Sequence, residues 1–135
     1  MKLTTLLACL IFLSLKPVHA QDTAVTRFPI VVSFHSICCG VPSDSSIASY
    51  ILAFKKKNKL KSIKAAHIGP MGKEGEYYLA FPLKELSKKQ AKAFIAGLKK
   101  VKKLSEETGE ISFMENYSLH PTKLPGRATV REVIF

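Results

Sequence analysis

The spacing of apolar residues constrains the fold of this chain more than any other feature of its sequence. Some segments show the two-residue alternation of strands and others the spacing of helices, and these segments follow one another in a definite order. Four segments, 28–36, 62–68, 76–83 and 110–119, have the composition or the two-residue alternation of strands. Two further segments carry apolar residues at helical spacing, which is typical of helices that bury one side. The predicted order is therefore strand, helix, strand, strand, helix, strand.

The two predicted helices have recognisable starting residues and apolar stripes. Ser43 or Asp44 can cap the first helix, and Ser87 with Gln90 has the spacing of a capping box at the start of the second. The positions predicted to face the core are Ile47, Ile51 and Phe54 in the first helix and Phe94, Ile95 and Leu98 in the second. In the last strand, Ile111, Phe113 and Tyr117 are predicted to share one face, which Glu115 interrupts at a predicted bulge.

This order of elements is the split βαβ pattern of ferredoxin-like domains, in which two helices cover one face of a four-stranded antiparallel sheet. We therefore predict an α+β fold of this type over residues 28–119. Residues 21–27 are predicted to form a flexible lead. Residues 120–135 are predicted to form either a C-terminal tail or an extra edge strand.

The first twenty residues carry the pattern of a secretory signal peptide. Lys2 precedes an apolar run, and Ala20 precedes Gln21 at the expected cleavage position. The run is shorter than the roughly 20 residues that a membrane-spanning helix needs. We therefore expect a secreted or periplasmic mature protein with no transmembrane segment. The alternative is an envelope protein with a lipid anchor on Cys9, because residues 6–9 resemble a bacterial lipobox.

The chain is strongly basic, with 21 Lys and Arg against 10 Asp and Glu. Its positive field attracts anionic partners, so we expect an anionic envelope component or an acidic protein as partner. The lysines concentrate on the two predicted helices and form a positive layer on their solvent side. No nucleic-acid partner is expected, because of the predicted export and because Tyr78 is the only aromatic residue predicted on the open sheet face.

Side chains that bind soft metals fall near the ends of the first two predicted strands. His35, Cys38 and Cys39 lie at the end of the first strand, and His67 lies at the end of the second. In the predicted topology these strands run parallel, so their C-terminal ends meet at one end of the sheet. Thiolate and imidazole ligands favour Cu(I) or Zn(II). The sequence therefore predicts a candidate copper or zinc site at this end.

The position of the cysteine pair resembles that in heavy-metal-associated domains, which are ferredoxin-like and bind metals through Cys-x-x-Cys in the first loop. In this chain the loop 35–40 reads His-Ser-Ile-Cys-Cys-Gly, so the two cysteines are adjacent. Four roles stay open for such a pair: a vicinal disulfide, intermolecular pairing, metal ligation or plain burial.

The sequence offers little support for an enzyme. It contains neither Gly-x-Ser-x-Gly nor His-Glu-x-x-His, and a Cys39 nucleophile with His35 or His67 as base is the remaining catalytic interpretation. We expect a non-catalytic binding domain. The alternatives are a soft-metal-binding protein and a protease inhibitor, because the chain is similar in size, compartment and layout to the secreted prodomain-like inhibitors of subtilisin proteases.

Overall fold

The computed structural model describes residues 24–101 and 109–135. The predicted signal peptide and Cys9 lie outside these residues. The helices and strands in chain order are β1 (Thr26–Ser36), α1 (Ser45–Lys57), β2 (Lys64–Gly69), β3 (Tyr77–Phe81), α2 (Lys88–Leu98), β4 (Gly109–Leu119) and β5 (Thr129–Ile134). A short 3-10 turn, Pro121–Lys123, lies between β4 and β5. The predicted α+β class with two helices is confirmed.

The described strands form one antiparallel sheet in the order β4-β1-β3-β2-β5. β1 and β2 both pair antiparallel with β3, so they point the same way and end at the same end of the sheet. The sheet has five strands and not the four of the predicted domain. The fifth is the edge strand that the sequence left as an alternative to a tail, and it pairs along β2 from Lys64 to Gly69.

The main core lies between the sheet and the two helices. Ile30, Val32 and Phe34 on β1 have no exposed surface, because alternate residues of this strand face the helices. The positions predicted to face the core are buried in both helices, except for Ile95, which is partly buried against the same cluster. The predicted helical stripes therefore pack as expected from their spacing.

Phe94 joins both helices to the sheet. Its ring centroid lies 5.2 Å from that of Phe54 on α1 and 5.4 Å from that of Phe81 on β3. The Tyr50 hydroxyl on α1 donates a hydrogen bond of 2.8 Å to the Phe94 carbonyl. Gly97 lies one turn further along α2, where a β-carbon would overlap the Tyr50 ring. Glycine at this position therefore lets the two helices approach each other closely.

The two helices begin differently. At α2 the predicted capping box is confirmed, since Ser87 accepts a hydrogen bond of 3.3 Å from the Gln90 amide and Gln90 accepts one of 3.0 Å from the Ser87 amide. At α1, Asp44 occupies the N-cap position without a side-chain cap. Its carboxylate accepts a hydrogen bond from the Tyr77 hydroxyl instead, at 3.3 Å. The side chain of Asp44, which the sequence predicts as a possible helix cap, therefore makes a tertiary contact instead.

A second, smaller hydrophobic cluster lies on the other face of the sheet. Its buried members are Phe28, Val31, Ile68, Ala80 and Leu119. Tyr117 packs against this cluster, whereas Ile111 belongs to the main core. The prediction that these two side chains share a face is therefore wrong. Asn116 between them has a φ of +52°, and this left-handed residue interrupts the alternation of β4.

The packing around Phe94 predicts a large loss of stability when its ring is removed. Phe94→Ala should lower the free energy of unfolding by about 3 to 5 kcal/mol, because it leaves a cavity between both helices and the sheet. The control Lys89→Ala, on the exposed side of the same helix, should change it by less than about 0.5 kcal/mol. Urea unfolding of both variants measures the difference, and similar losses would contradict this account of the core.

Candidate functional site

The two histidines of the predicted metal site lie on opposite faces of the sheet. The His67 ring stacks on Tyr77, with 4.7 Å between ring centroids, on the helix side. His35 is exposed on the other face, where its ring makes an edge contact with Tyr78 at 6.3 Å. Strand alternation explains the difference, because the neighbouring Phe34 faces the helices and His35 therefore faces away from them. The two imidazoles do not converge.

Cys38 and Cys39 form a disulfide with each other in the loop between β1 and α1. This is one of the four roles that the sequence left open, and in this state neither sulfur is a thiolate. Both residues are exposed. Among the described residues, no group of three or more His, Cys, Asp or Glu side chains is gathered as a metal ion would require. The copper or zinc site stays a prediction for the reduced protein.

A stack of three rings crosses the helix side of the sheet. Phe34 on β1 and His67 on β2 pack against opposite sides of Tyr77 on β3, with interplanar angles of 11° and 17°. Burial raises the pKa of Tyr77, and the negative charge of Asp44, which accepts its hydrogen bond, raises it further. Tyr77 therefore remains a hydrogen-bond donor to Asp44 at neutral pH.

His67 is the titratable member of this stack. Burial lowers the pKa of His67, and the nearby positive charge of Arg131 lowers it further. These effects outweigh the opposite effects of the residue's own backbone and of Asp44. Its Nδ1 atom is buried and has no hydrogen-bond partner in the described part of the chain. Protonation would therefore place a second positive charge beside Arg131 in a partly buried position. The folded state favours the neutral imidazole.

The opposite face carries more aromatic side chains than the sequence predicted. Tyr78 lies there as predicted, and Tyr117 makes an edge contact with it at 6.0 Å. Tyr117 was missed because simple alternation placed it on the helix side. Asn116 was the available signal, since asparagine tolerates the left-handed conformation that interrupts a strand. Leu124, which follows the 3-10 turn, packs against the same cluster and covers part of this face.

Lysines lie along the outer side of the two helices. We call it the cationic helical layer, and it consists of Lys55, Lys56, Lys57, Lys88, Lys89 and Lys92. Each helix contributes three lysines and contains no acidic residue. The ion pairs found between described residues are Lys64–Glu132 and Lys99–Glu115, and neither involves this layer. Neither of these ion pairs therefore reduces its charge.

The described acidic residues are located elsewhere. They lie in strands or in the segments that connect elements: Asp44, Glu74, Glu76, Glu85, Glu110, Glu115 and Glu132. The two helices are thus purely cationic, whereas the rest of the described surface mixes both signs. This segregation gives the molecule one face that attracts anions.

Comparisons with known protein families, with curated proteins and with solved structures found no match for this chain. No helix of residues 24–101 and 109–135 is both long enough and apolar enough to cross a bilayer.

The lowered pKa of His67 predicts a pH dependence of stability. Because the folded-state pKa lies below the unfolded value of about 6.5, its contribution is fully present above about pH 6.5 and is lost as the pH falls through the folded-state value. His67→Asn should therefore reduce the drop in thermal midpoint between about pH 7 and about pH 5. His35→Asn, which changes an exposed ring on the other face, should retain the wild-type drop. Equal drops in thermal midpoint in the wild type and in His67→Asn would show that His67 does not cause the pH dependence.

Proposed function

We propose that this chain is an exported, non-catalytic binding domain of the ferredoxin-like type, and that its cationic helical layer binds an anionic lipid surface. The signal pattern of the first twenty residues supports export. The order β4-β1-β3-β2 within the sheet, together with the positions of α1 and α2 in the chain, supports the ferredoxin-like assignment. In this proposal β5 is an addition to the β2 edge.

The observation that carries the proposal is the absence of acidic residues from both helices. Dissolved ions screen the field of any surface charge over a Debye length of about 8 to 10 Å at physiological salt. On a surface of mixed charge, neighbouring groups of opposite sign also cancel each other within that range. The cationic helical layer has no such cancellation from its own helices. Its field therefore extends towards an approaching anionic surface.

The shape of the layer favours a surface over a small anion. Two helices lie side by side, joined by the Tyr50 hydrogen bond to Phe94, so the lysines are spread over both helices. Lys92 also borders an open groove that Lys99, Lys100 and Glu115 line. Leu52 on α1 is 52% exposed and lies one helical turn before Lys55 and Lys56. Lysine stems and one exposed leucine together suit the boundary between lipid headgroups and acyl chains.

The magnitude of the attraction is sufficient for measurable binding. A lysine close to an anionic membrane contributes about 1 kcal/mol, and the contribution falls with distance and with salt. Six lysines on one face therefore exceed the few kcal/mol that detectable vesicle binding requires, even when some lie away from the lipid. The binding should weaken steeply as salt is added.

The two alternatives gain no comparable support. An inhibitor of the prodomain type needs an extended segment that can enter a protease, but Phe135 exchanges backbone hydrogen bonds of 3.2 and 3.0 Å with Ile63. The ring of Phe135 also lies 6.4 Å from that of Phe81. A soft-metal site requires reduction of the disulfide and movement of the two histidines. Both alternatives stay predictions.

Vesicle sedimentation of the full chain tests the proposal. Binding to vesicles of phosphatidylglycerol should exceed binding to vesicles of phosphatidylcholine, and added salt should abolish it. Lys89→Gln with Lys92→Gln should weaken binding about tenfold or more, since two charges are removed from the layer. The matched control is Lys73→Gln with Lys123→Gln, which removes two exposed charges from loop and turn positions and should weaken binding by less than about threefold.

Two results would contradict the proposal. One is an equal loss of binding in both double variants, which would show that only the net charge matters. The other is binding to a soluble sulfated polysaccharide without binding to anionic vesicles. That result would retain the cationic helical layer as a site but replace the lipid surface as its partner.

A further inference from the structure

The loop between β1 and α1 carries a feature that the proposed function does not use, the disulfide between Cys38 and Cys39. The chain on both sides of this loop is held in place. Ser36 pairs with Gly109 on β4, and the buried Pro42 packs so closely on Gly109 that a β-carbon would not fit there. The disulfide therefore lies in a short loop whose two ends, Ser36 and Pro42, are both held against Gly109.

This disulfide does not support the fold. A disulfide stabilises a protein mainly by joining distant parts of the chain and thereby restricting the unfolded state. Cys38 and Cys39 are adjacent, with 3.8 Å between their Cα atoms, so the bond joins no two elements. The pairing of β1 with β4 and the main core hold the surrounding structure without it. The bond can therefore open and close while the domain stays folded.

The disulfide is also accessible. Both cysteines are exposed, and exchange requires that a thiol reach one of the two sulfurs. Ile37, directly before the pair, is 67% exposed, the highest value among the large hydrophobic side chains of the described residues. Apart from Gly40 itself and its chain neighbours Cys39 and Val41, no described atom lies within 4 Å of the place where a β-carbon on Gly40 would be. An attacking thiol thus meets an uncrowded loop with an apolar side chain beside the sulfurs.

We propose that Cys38 and Cys39 form a thiol–disulfide exchange site that accepts two electrons from two external thiol groups while the domain stays folded. A thiolate attacks one cysteine sulfur, the bond between the two cysteines breaks, and the other cysteine leaves as a thiolate that takes up a proton. A second external thiolate then attacks the external sulfur of the mixed disulfide, the bond from that sulfur to the cysteine breaks, and this cysteine also leaves as a thiolate that takes up a proton. The products are two cysteine thiols and one external disulfide.

The reductant must come from outside the mature chain. The sequence contains three cysteines, and the third, Cys9, belongs to the predicted signal peptide. After cleavage no further thiol is present to open the pair from within. A mixed disulfide on one cysteine is resolved either by a second external thiol or by its neighbour, which restores the original bond.

Cysteine labelling without denaturant tests this proposal. The full chain is incubated with millimolar reduced glutathione, alkylated, and analysed by peptide mass, so that Cys9 is counted separately. The peptide with Cys38 and Cys39 should carry no alkyl group before reduction and two afterwards. Amide hydrogen exchange in β1 and α1 should stay slow in both states. A parallel reaction with reduced thioredoxin shows whether a small thiol or a protein dithiol opens the bond faster.

Two variants act as controls. Cys38→Ser should form a stable glutathione adduct on Cys39 when treated with oxidised glutathione, because the neighbouring thiol that would release it is missing. Cys38→Ser with Cys39→Ser should show no alkylation and the thermal midpoint of the wild type. Alkylation only after denaturation, alkylation before any reductant is added, or loss of core protection on reduction would each overturn the proposal.

Discussion

Packing around the ring of Phe94 is the constraint on which the rest of the structure depends. This ring contacts aromatic rings from α1 and from β3, and its backbone carbonyl accepts the hydrogen bond of Tyr50. Both helices must therefore turn their apolar stripes towards the same face of the sheet. Their other sides then face solvent, and these are the sides that carry lysines. The cationic helical layer is thus a consequence of core packing as well as of composition.

Strand alternation is the second constraint, and it decides which side chains can act together. Phe34 and Tyr77 face the helices, whereas their chain neighbours His35 and Tyr78 face the other way. Residues that are adjacent in the sequence of a strand therefore lie on opposite faces of the sheet. His67 stacks on Tyr77 on the helix side, whereas His35 lies on the opposite face of the sheet, where Tyr78 and Tyr117 also lie. A shared site for both histidines would need one of them to change faces.

The parts of the fold that depend on local spacing could be predicted from the sequence. The core positions of α1 and α2 follow from helical periodicity, and the capping box at Ser87 follows from a three-residue spacing. The pairing of β5 with β2 could not be predicted, because mixed apolar character at the chain end fits an edge strand and a tail equally. The hydrogen bond of Asp44 could not be predicted either, because its partner Tyr77 lies 33 residues away in the sequence.

The candidate site could be predicted only in part. The shared direction of β1 and β2 could be predicted, but the register places His67 across β3 from Val32, three residues before His35. The face on which His67 lies depends on how β2 pairs with β3, which local sequence does not specify. For Cys38 and Cys39 the spacing alone left four roles open. The lysine distribution, by contrast, was readable from the sequence once the apolar stripes were assigned.

The orientation of the bound protein tests the central claim most directly, since it asks which face meets the lipid. Amide signals of the full chain can be followed by NMR on phosphatidylglycerol vesicles that contain a paramagnetic lipid. The account predicts the strongest broadening for α1 and α2, around Leu52, Lys89 and Lys92, and the weakest for the face that holds Tyr78 and Tyr117. Uniform broadening, or stronger broadening of the open sheet face, would contradict it.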